Sequence, residues 1–431
     1  MRSISDSRLL AFEALVEVEL HGAYSNLVLP KMLGRSSLSV EDKAFTSELV
    51  YGSLRMKGRH DSLIAKASKR TIEEVDPKVL LVLRIGVHQL TQMRVPSHAA
   101  IYETVELAKR VTGKSSASFV NAILRNIDTQ TPAHVTNDDK NLERLTIEYS
   151  HPEWIVSSYF DSLKSADEVE KLLAANNVPA KPTLIAWPGR ASREELVEHG
   201  ASPLEDSALA ATCEGDPGSI PAIRERRAGV QDRGSQIVVE RFLDTFEDNL
   251  RWLDLCAGPG GKAAYLSSVV SQRSGQFIAN EVSRERSELV KQVVPNYPVM
   301  NHDGRKLPDS LGTFDRILVD APCTGIGALR RRPEVRWRRT IQDLRNLTVL
   351  QSELLDEAAR KLNVGGIIGY VTCSSHQAET KFQVRSFLKR HTSFSRVPVR
   401  DYRADSDGDL QLWTHRDGCD SMFLSLLRKE G

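Results

Sequence analysis

Residues able to do chemistry gather in three places along this chain. The loop Asp254-Leu-Cys-Ala-Gly-Pro-Gly-Gly-Lys262 follows an apolar run and opens a helical pattern. Gly258, Gly260 and Gly261 let the backbone approach a ligand closely, and the helix start behind them offers unpaired N–H groups. Cys256, Ala257, Gly258, Pro259, Gly260, Gly261 and Lys262 are therefore the candidate cofactor-binding residues. Glu281 ends the next apolar run, where a carboxylate can accept both ribose hydroxyls of an adenosine cofactor. Asp303, in His302-Asp303-Gly304, follows a third candidate strand and either contacts the adenine or closes a solvated turn.

Taken alone, the loop is ambiguous, and a tight strand-to-helix turn without ligand is its bland alternative. Gly258, Gly260 and Ala263 also satisfy the dinucleotide pattern G-x-G-x-x-A. A phosphate-binding Walker loop is excluded, because Cys256 stands where its first glycine must be and Ala263 where its Ser or Thr must be.

The second place is a pair of strand ends. The runs FDRILVDAPCTGIG and GGIIGYVTCSS each close in a cysteine, Cys323 and Cys373. In an open parallel sheet those ends are where ligands sit. Two thiols facing one pocket suit a cytosine ring, whose carbon 5 is too electron-poor to take a methyl group from a sulfonium. A thiolate added at carbon 6 turns carbon 5 into an enamine-like nucleophile. A base must later remove the carbon-5 proton so that the thiolate can leave. Asp320 is placed to bond the base edge at N3 or N4 and also to touch the cofactor. The alternative for any free cysteine is a small buried hydrophobe, which is the reading for Cys213, Cys256 and Cys419. A metal site from Cys323, Cys373 and His376 lacks a fourth ligand and the usual spacing, so no metal is expected.

The third place is the basic run Leu329-Arg-Arg-Arg-Pro-Glu-Val-Arg-Trp-Arg-Arg339 directly after the first of these cysteines. Such a run is either a solvated charged face or a phosphate-binding surface with an aromatic ring beside a base. Its position after an active-site strand favours RNA contacts through Arg330, Arg331, Arg332, Arg336 and Trp337.

These residues need elements to hold them. From Leu250 onward, short apolar runs alternate with helical patterns such as Ala263 to Val270 and Leu347 to Leu362, which implies a parallel sheet covered on both faces. From Ser7 to about Ile127 the apolar spacing is that of successive amphipathic helices, so the first domain is expected to be all-helical. The polar stretch TQTPAHVTNDDKN reads as a linker, and helices resume from Leu142 to about Ala175. Prolines at 182, 188, 203, 217 and 221 break the next stretch into a small mixed domain. The expected division is 1–130, 140–228 and 229–431.

Composition sets the outer limits. With 431 residues, 40% of them hydrophobic and 27% charged, the chain has the balance of a multidomain globular protein rather than a disordered or fibrous one. The 58 Lys and Arg nearly cancel the 57 Asp and Glu, so any nucleic-acid partner must be argued from local clusters. Acidic residues inside the first apolar stretch (Glu13, Glu17, Glu19) do not fit a secretory signal, and no apolar run approaches the roughly 20 residues that span a bilayer, so a cytoplasmic protein without membrane partners is expected. Five cysteines without a Cys-x-x-Cys pair suggest free thiols. Nothing fixes an oligomeric state, and a monomer is the expectation.

The motifs Asp320-Ala-Pro-Cys-Thr-Gly-Ile-Gly, Thr372-Cys-Ser and the Asp254 to Lys262 loop resemble those of the RNA 5-methylcytosine methyltransferases. The resemblance implies S-adenosylmethionine as cofactor, attack on the base by Cys373 and help with product release from Cys323. Asp42-Lys-Ala-Phe, Glu48 to Arg55, Leu83 to Leu90 and Phe119 to Arg125 are similar to the NusB-like domain of the ribosomal RNA small subunit methyltransferase B family. That implies a 16S ribosomal RNA partner, an all-α NusB-like N-terminal domain, a small mixed middle domain and an α/β class I, Rossmann-like methyltransferase domain. Leu184-Ile-Ala-Trp-Pro-Gly189 departs from the pattern of relatives, which carry an Arg and an Asn there, and Glu281 stands where many have Asp. Two rivals make different demands: an NAD-dependent oxidoreductase would leave the cysteine pair unexplained, and a non-enzymatic, antitermination-like RNA-binding factor would not need it.

Overall fold

A computed structural model describes residues 6–129, 142–245, 247 and 250–431. The linker expected over Thr129–Asn141 lies almost wholly outside them. By compactness the chain divides into two units: residues 1–178 with 329–338, and residues 179–328 with 339–431.

The first unit is helical. Its front helices run Asp6–Glu19, Ser25–Arg35, Val40–Arg55, Lys57–Ser68, Pro77–Thr91, Ser97–Val111 and Lys114–Thr129. Local chemistry starts them where the sequence allows. The Ser39 side chain accepts from Asp42 N–H, and Asp76 accepts from the N–H groups of Lys78 and Val79 with Pro77 at the first helical position. Helix Pro77–Thr91 is buried continuously from Val79 to Gln89, so it forms the axis around which the other front helices bury their apolar faces. Three further helices, Leu142–Glu148, Glu153–Leu163 and Ala166–Asn176, belong to this unit rather than to the mixed segment with which the sequence grouped them.

The second unit holds two sheets. Strands β1 (Thr183–Ala186), β2 (Ser202–Pro203), β3 (Ala210–Thr212) and β4 (Ala228–Val230) form a small antiparallel sheet in the order β2-β3-β1-β4. The large sheet uses β5 (Arg251–Asp254), β6 (Gln276–Asn280), β7 (Val299–Met300), β8 (Phe314–Asp320), β9 (Leu362–Thr372), β10 (Phe394–Val397), β11 (Leu410–Gln411) and β12 (Phe423–Lys429). Its order is β10-β12-β9-β8-β5-β6-β7, with β11 paired to β12.

From β7 to β9 all pairings are parallel. Ile317, Leu318 and Val319 of β8 and Ile368, Tyr370 and Val371 of β9 are fully buried, because helices cover both faces and each strand must be apolar on both sides. One feature departs from the expected parallel sheet. The last strand, β12, inserts between β9 and β10 and runs antiparallel to both. Strand order reverses between β5 and β8, the switch point where a ligand crevice opens beyond the carboxyl ends. Among the described residues no helix is long and apolar enough to cross a membrane.

Candidate active site

At the switch point, β5 ends in Asp254 and the chain turns through Cys256 to Gly260 into helix Gly261–Ser271. Gly260 has φ +118°, a backbone conformation open to glycine. A Cβ on Gly258 would lie 2.2 Å from Glu281 Oε2, so a side chain there would displace the carboxylate. Glu281 is buried at the end of β6. Its Oε2 accepts from Gly258 N–H at 2.9 Å, while Oε1 accepts from Ser283 N–H and pairs with Arg286, each at 2.8 Å. A carboxylate has about four acceptor sites and three are taken here, so one remains on Oε2 for a ligand's hydroxyl, and a second hydroxyl would have to displace one of these partners. The Ala257 N–H is bonded to the Asn280 carbonyl at 2.8 Å, so this residue lends shape rather than its amide.

Three carboxylates line the crevice. Asp254 is fully buried, and among the described residues no side chain donates to either of its oxygens, while the Cys256 N–H lies close enough to favour its charged form. Burial, reinforced by Asp320, pushes its pKa up to about 8. Lys262 donates to Asp320 Oδ2 at 2.8 Å. Burial acts against the lysine charge, but Asp320, Cys373 and Asp254 outweigh it, and its pKa lies above the ordinary value. Burial and the same carboxylates hold the Cys256 thiol well up, which keeps it unreactive. This acidic donor set fits S-adenosylmethionine, which brings an ammonium, a sulfonium and a ribose diol. A dinucleotide's pyrophosphate would meet repulsion from Asp320 and Glu281.

Asp303 follows β7 as expected, but its carboxylate closes a turn onto Arg305 N–H and pairs with the Arg305 guanidinium at 2.7 Å. Those bonds hold its pKa below the usual aspartate range. The turn alternative thus describes its conformation, and an adenine contact would compete with Arg305.

The two cysteines come together by register. Asp320 of β8 pairs with Val371 of β9, so Cys323 and Cys373 each begin a loop just beyond neighbouring strand ends. The Ala321 N–H donates to the Val371 carbonyl at 2.9 Å and the Gly327 N–H to the Cys373 carbonyl at 3.1 Å, which lays one loop along the other. Both thiols are half-buried. Burial and the nearby Glu379 push Cys323 up to about 12, against the backbone N–H groups of Gly325 and Cys373.

Matches to known proteins agree with this geometry. The family described as 16S rRNA methyltransferase RsmB/F matches residues 241–428, and the NusB family matches residues 5–129. A Bacillus subtilis protein bearing the name ribosomal RNA small subunit methyltransferase B is 31% identical, over 98% of this chain and 98% of its own. The chain belongs to the 16S rRNA methyltransferase RsmB/F family. As a member it is an S-adenosylmethionine-dependent methyltransferase with a NusB-type front domain. A Mycobacterium tuberculosis protein named as a methyltransferase is 39% identical over 99% of this chain and 97% of its own. The crystal structure of PH0851 shares the fold, with a TM-score of 0.83 at 23% identity over 97% of this chain and 98% of that one.

The basic run is divided by the fold. Arg336 is fully buried in the first unit. Its guanidinium donates to the carbonyls of Arg55, Ser150 and Asn176 and to Asn177 Oδ1, the last at 2.9 Å. Burial works against its charge and lowers its pKa. This corrects the expected RNA contact at Arg336, because its guanidinium is fully buried and both terminal nitrogens donate inside the protein. Trp337 is half-buried and packs against Gly58, where a Cβ would come 2.4 Å from the ring. Arg332 is exposed and lies over the Tyr24 ring, and Arg330 and Arg331 are half-buried.

Two residues that sequence reasoning passed over belong to the site. Asp254 carried a signal, as the acidic residue ending the strand before the glycine loop. Glu379 carried none, since its importance comes from partners distant in sequence.

Proposed function

We propose that this chain methylates carbon 5 of a cytosine in 16S ribosomal RNA through a covalent adduct between Cys373 and carbon 6. The observation that carries the reading is the register of β8 and β9, which brings two cysteines to adjacent strand ends beside the acidic crevice. S-adenosylmethionine, when bound, supplies the methyl group. Cys256 to Lys262, Glu281 and Asp254 would hold it, and Asp303 would reach the adenine only in competition with Arg305.

Cys373 Sγ adds to carbon 6, and the carbon 5–carbon 6 π pair moves onto carbon 5 and into the ring toward N3. Asp320, oriented by Lys262, accepts from the N4 amino group, and the Lys262 ammonium beside it offsets the negative charge that spreads toward N3. Once carbon 5 carries the methyl group, a solvent base takes its proton, the pair of that C–H bond restores the carbon 5–carbon 6 double bond, and the carbon–sulfur pair leaves with Cys373 as a thiolate. Cys323 stands beside the departing sulfur and assists release. Arg330, Arg331 and Arg332 supply phosphate contacts, and the NusB-type domain contributes RNA affinity.

Bisulfite sequencing of ribosomal RNA from cells with and without this protein tests the reading. One cytosine that loses protection in its absence is the expected result, and an unchanged map overturns it.

A further inference from the structure

We propose that Glu379 is a positioning residue of methyl transfer: its buried carboxylate sets the separation of Cys323 and Cys373 by holding the residue that follows each. Glu379 closes the short turn Gln377–Glu379 and is completely buried. Its Oε1 accepts from the Thr324 N–H at 2.8 Å and from Gln351 Nε2 at 3.1 Å. Its Oε2 accepts from Ser374 Oγ at 2.7 Å and from the Thr324 hydroxyl. Thr324 follows Cys323, and Ser374 follows Cys373.

The same residue is anchored from behind. Its carbonyl accepts from Tyr370 Oη at 2.8 Å and from Thr372 Oγ1 at 3.3 Å, both on β9. Gln351 donates in addition to the Pro322 carbonyl at 2.9 Å, so Pro322 and Thr324, on either side of Cys323, are both held. A carboxylate only accepts, and four donors onto two oxygens fill it. Nothing in this arrangement faces substrate, so Glu379 acts through the cysteine loops. Its charge also opposes ionisation of Cys323.

The inference rests on the cysteine roles proposed above, and the test separates the two. In Glu379→Ala, kcat should fall by about a hundredfold, the scale of a small misplacement of reacting groups. The KM for RNA and the calorimetric Kd for S-adenosylmethionine should stay within about twofold, because neither binding surface is touched. Glu379→Gln should recover part of kcat, since its amide NH2 can turn toward the Thr324 and Ser374 hydroxyls, which also accept. A parent-like kcat in Glu379→Ala, or a loss carried wholly by KM or Kd, overturns the proposal. If Glu379→Ala does not melt cooperatively, Thr324→Val and Ser374→Ala take its place, with the same split expected and parent-like kcat in both as the contrary result. Failure of the underlying reading appears elsewhere, as turnover by Cys373→Ala.

Discussion

The Gly327 N–H donates to the Cys373 carbonyl at 3.1 Å, and a Cβ on Gly327 would come 2.0 Å from the Ser421 carbonyl oxygen and 2.9 Å from the Cys373 carbonyl carbon. The clash is with backbone on both sides, so no side chain can turn away from it. Gly327→Ala should push the Cys323 loop off the Cys373 loop, with an overpacking cost of about 1–3 kcal/mol. Thermal unfolding should show a modest drop in Tm, while single-turnover methylation should fall far more than S-adenosylmethionine affinity. Equal loss of both would place the damage in the fold as a whole.

Glu281→Ala should weaken S-adenosylmethionine binding, because hydrogen bonds to a charged acceptor contribute about 1.5–3 kcal/mol. That corresponds to roughly a tenfold to hundredfold rise in Kd. Part of the effect is indirect, since the Gly258 N–H and Arg286 lose their acceptor as well. Isothermal calorimetry measures it, and an unchanged Kd would move the ribose away from β6.

Asp254 provides a pH signature of the crevice. In the folded, cofactor-free chain its carboxyl holds a proton up to about pH 8, whereas an unfolded aspartate releases it near about 3.9. Between those values the folded state binds more protons. Its contribution to stability is therefore full below the unfolded value and is lost as pH rises through the folded one, with a slope of up to about 1.4 kcal/mol per pH unit. Urea unfolding at mildly acidic and mildly alkaline pH should show this decline in the parent and a flatter profile in Asp254→Asn. Parallel profiles would mean that the carboxylate finds a partner when the cofactor is absent.

The strand ends were legible in the sequence because parallel strands buried on both faces are continuous apolar runs, and Asp254, Glu281, Asp320 and the two cysteines each interrupt one. β12 was harder, since an apolar run does not say whether it joins its neighbours parallel or antiparallel. Arg336 was misread for a different reason. A basic run with one tryptophan looks like a surface, and the acceptors that bury its guanidinium come from Arg55, Ser150, Asn176 and Asn177, between 159 and 281 residues away. Glu379 was invisible likewise, for its donors Thr324 and Gln351 lie 55 and 28 residues distant. Burial of a polar group is a tertiary fact, and local composition does not encode it.

The divided basic run makes two variants behave in opposite ways. Arg336→Ala strands several buried carbonyls and should destabilise the first unit by about 1–3 kcal/mol for each acceptor left without a donor. Replacing Arg330, Arg331 and Arg332 with Ala should weaken RNA binding and flatten its salt dependence, because phosphate contacts release counterions. Filter binding across a salt series, with melting curves for both proteins, distinguishes them. A salt slope equal to that of the parent would return the triple-arginine stretch to a solvated face.

The order of the chemistry separates the two thiols. Attack by Cys373 precedes methyl transfer, while Cys323 acts afterwards, so their removal should stall the reaction at different points. Cys373→Ala should abolish both turnover and covalent attachment to RNA, since no sulfur remains to activate carbon 5. Cys323→Ala should leave attack intact and slow release, so an enzyme-linked RNA should accumulate and appear as a shifted band on a denaturing gel. The double variant should resemble Cys373→Ala, because a step that never begins cannot stall. A shifted band from Cys373→Ala with none from Cys323→Ala would exchange the two roles. Activity in both single variants without any band would remove covalent catalysis from this site.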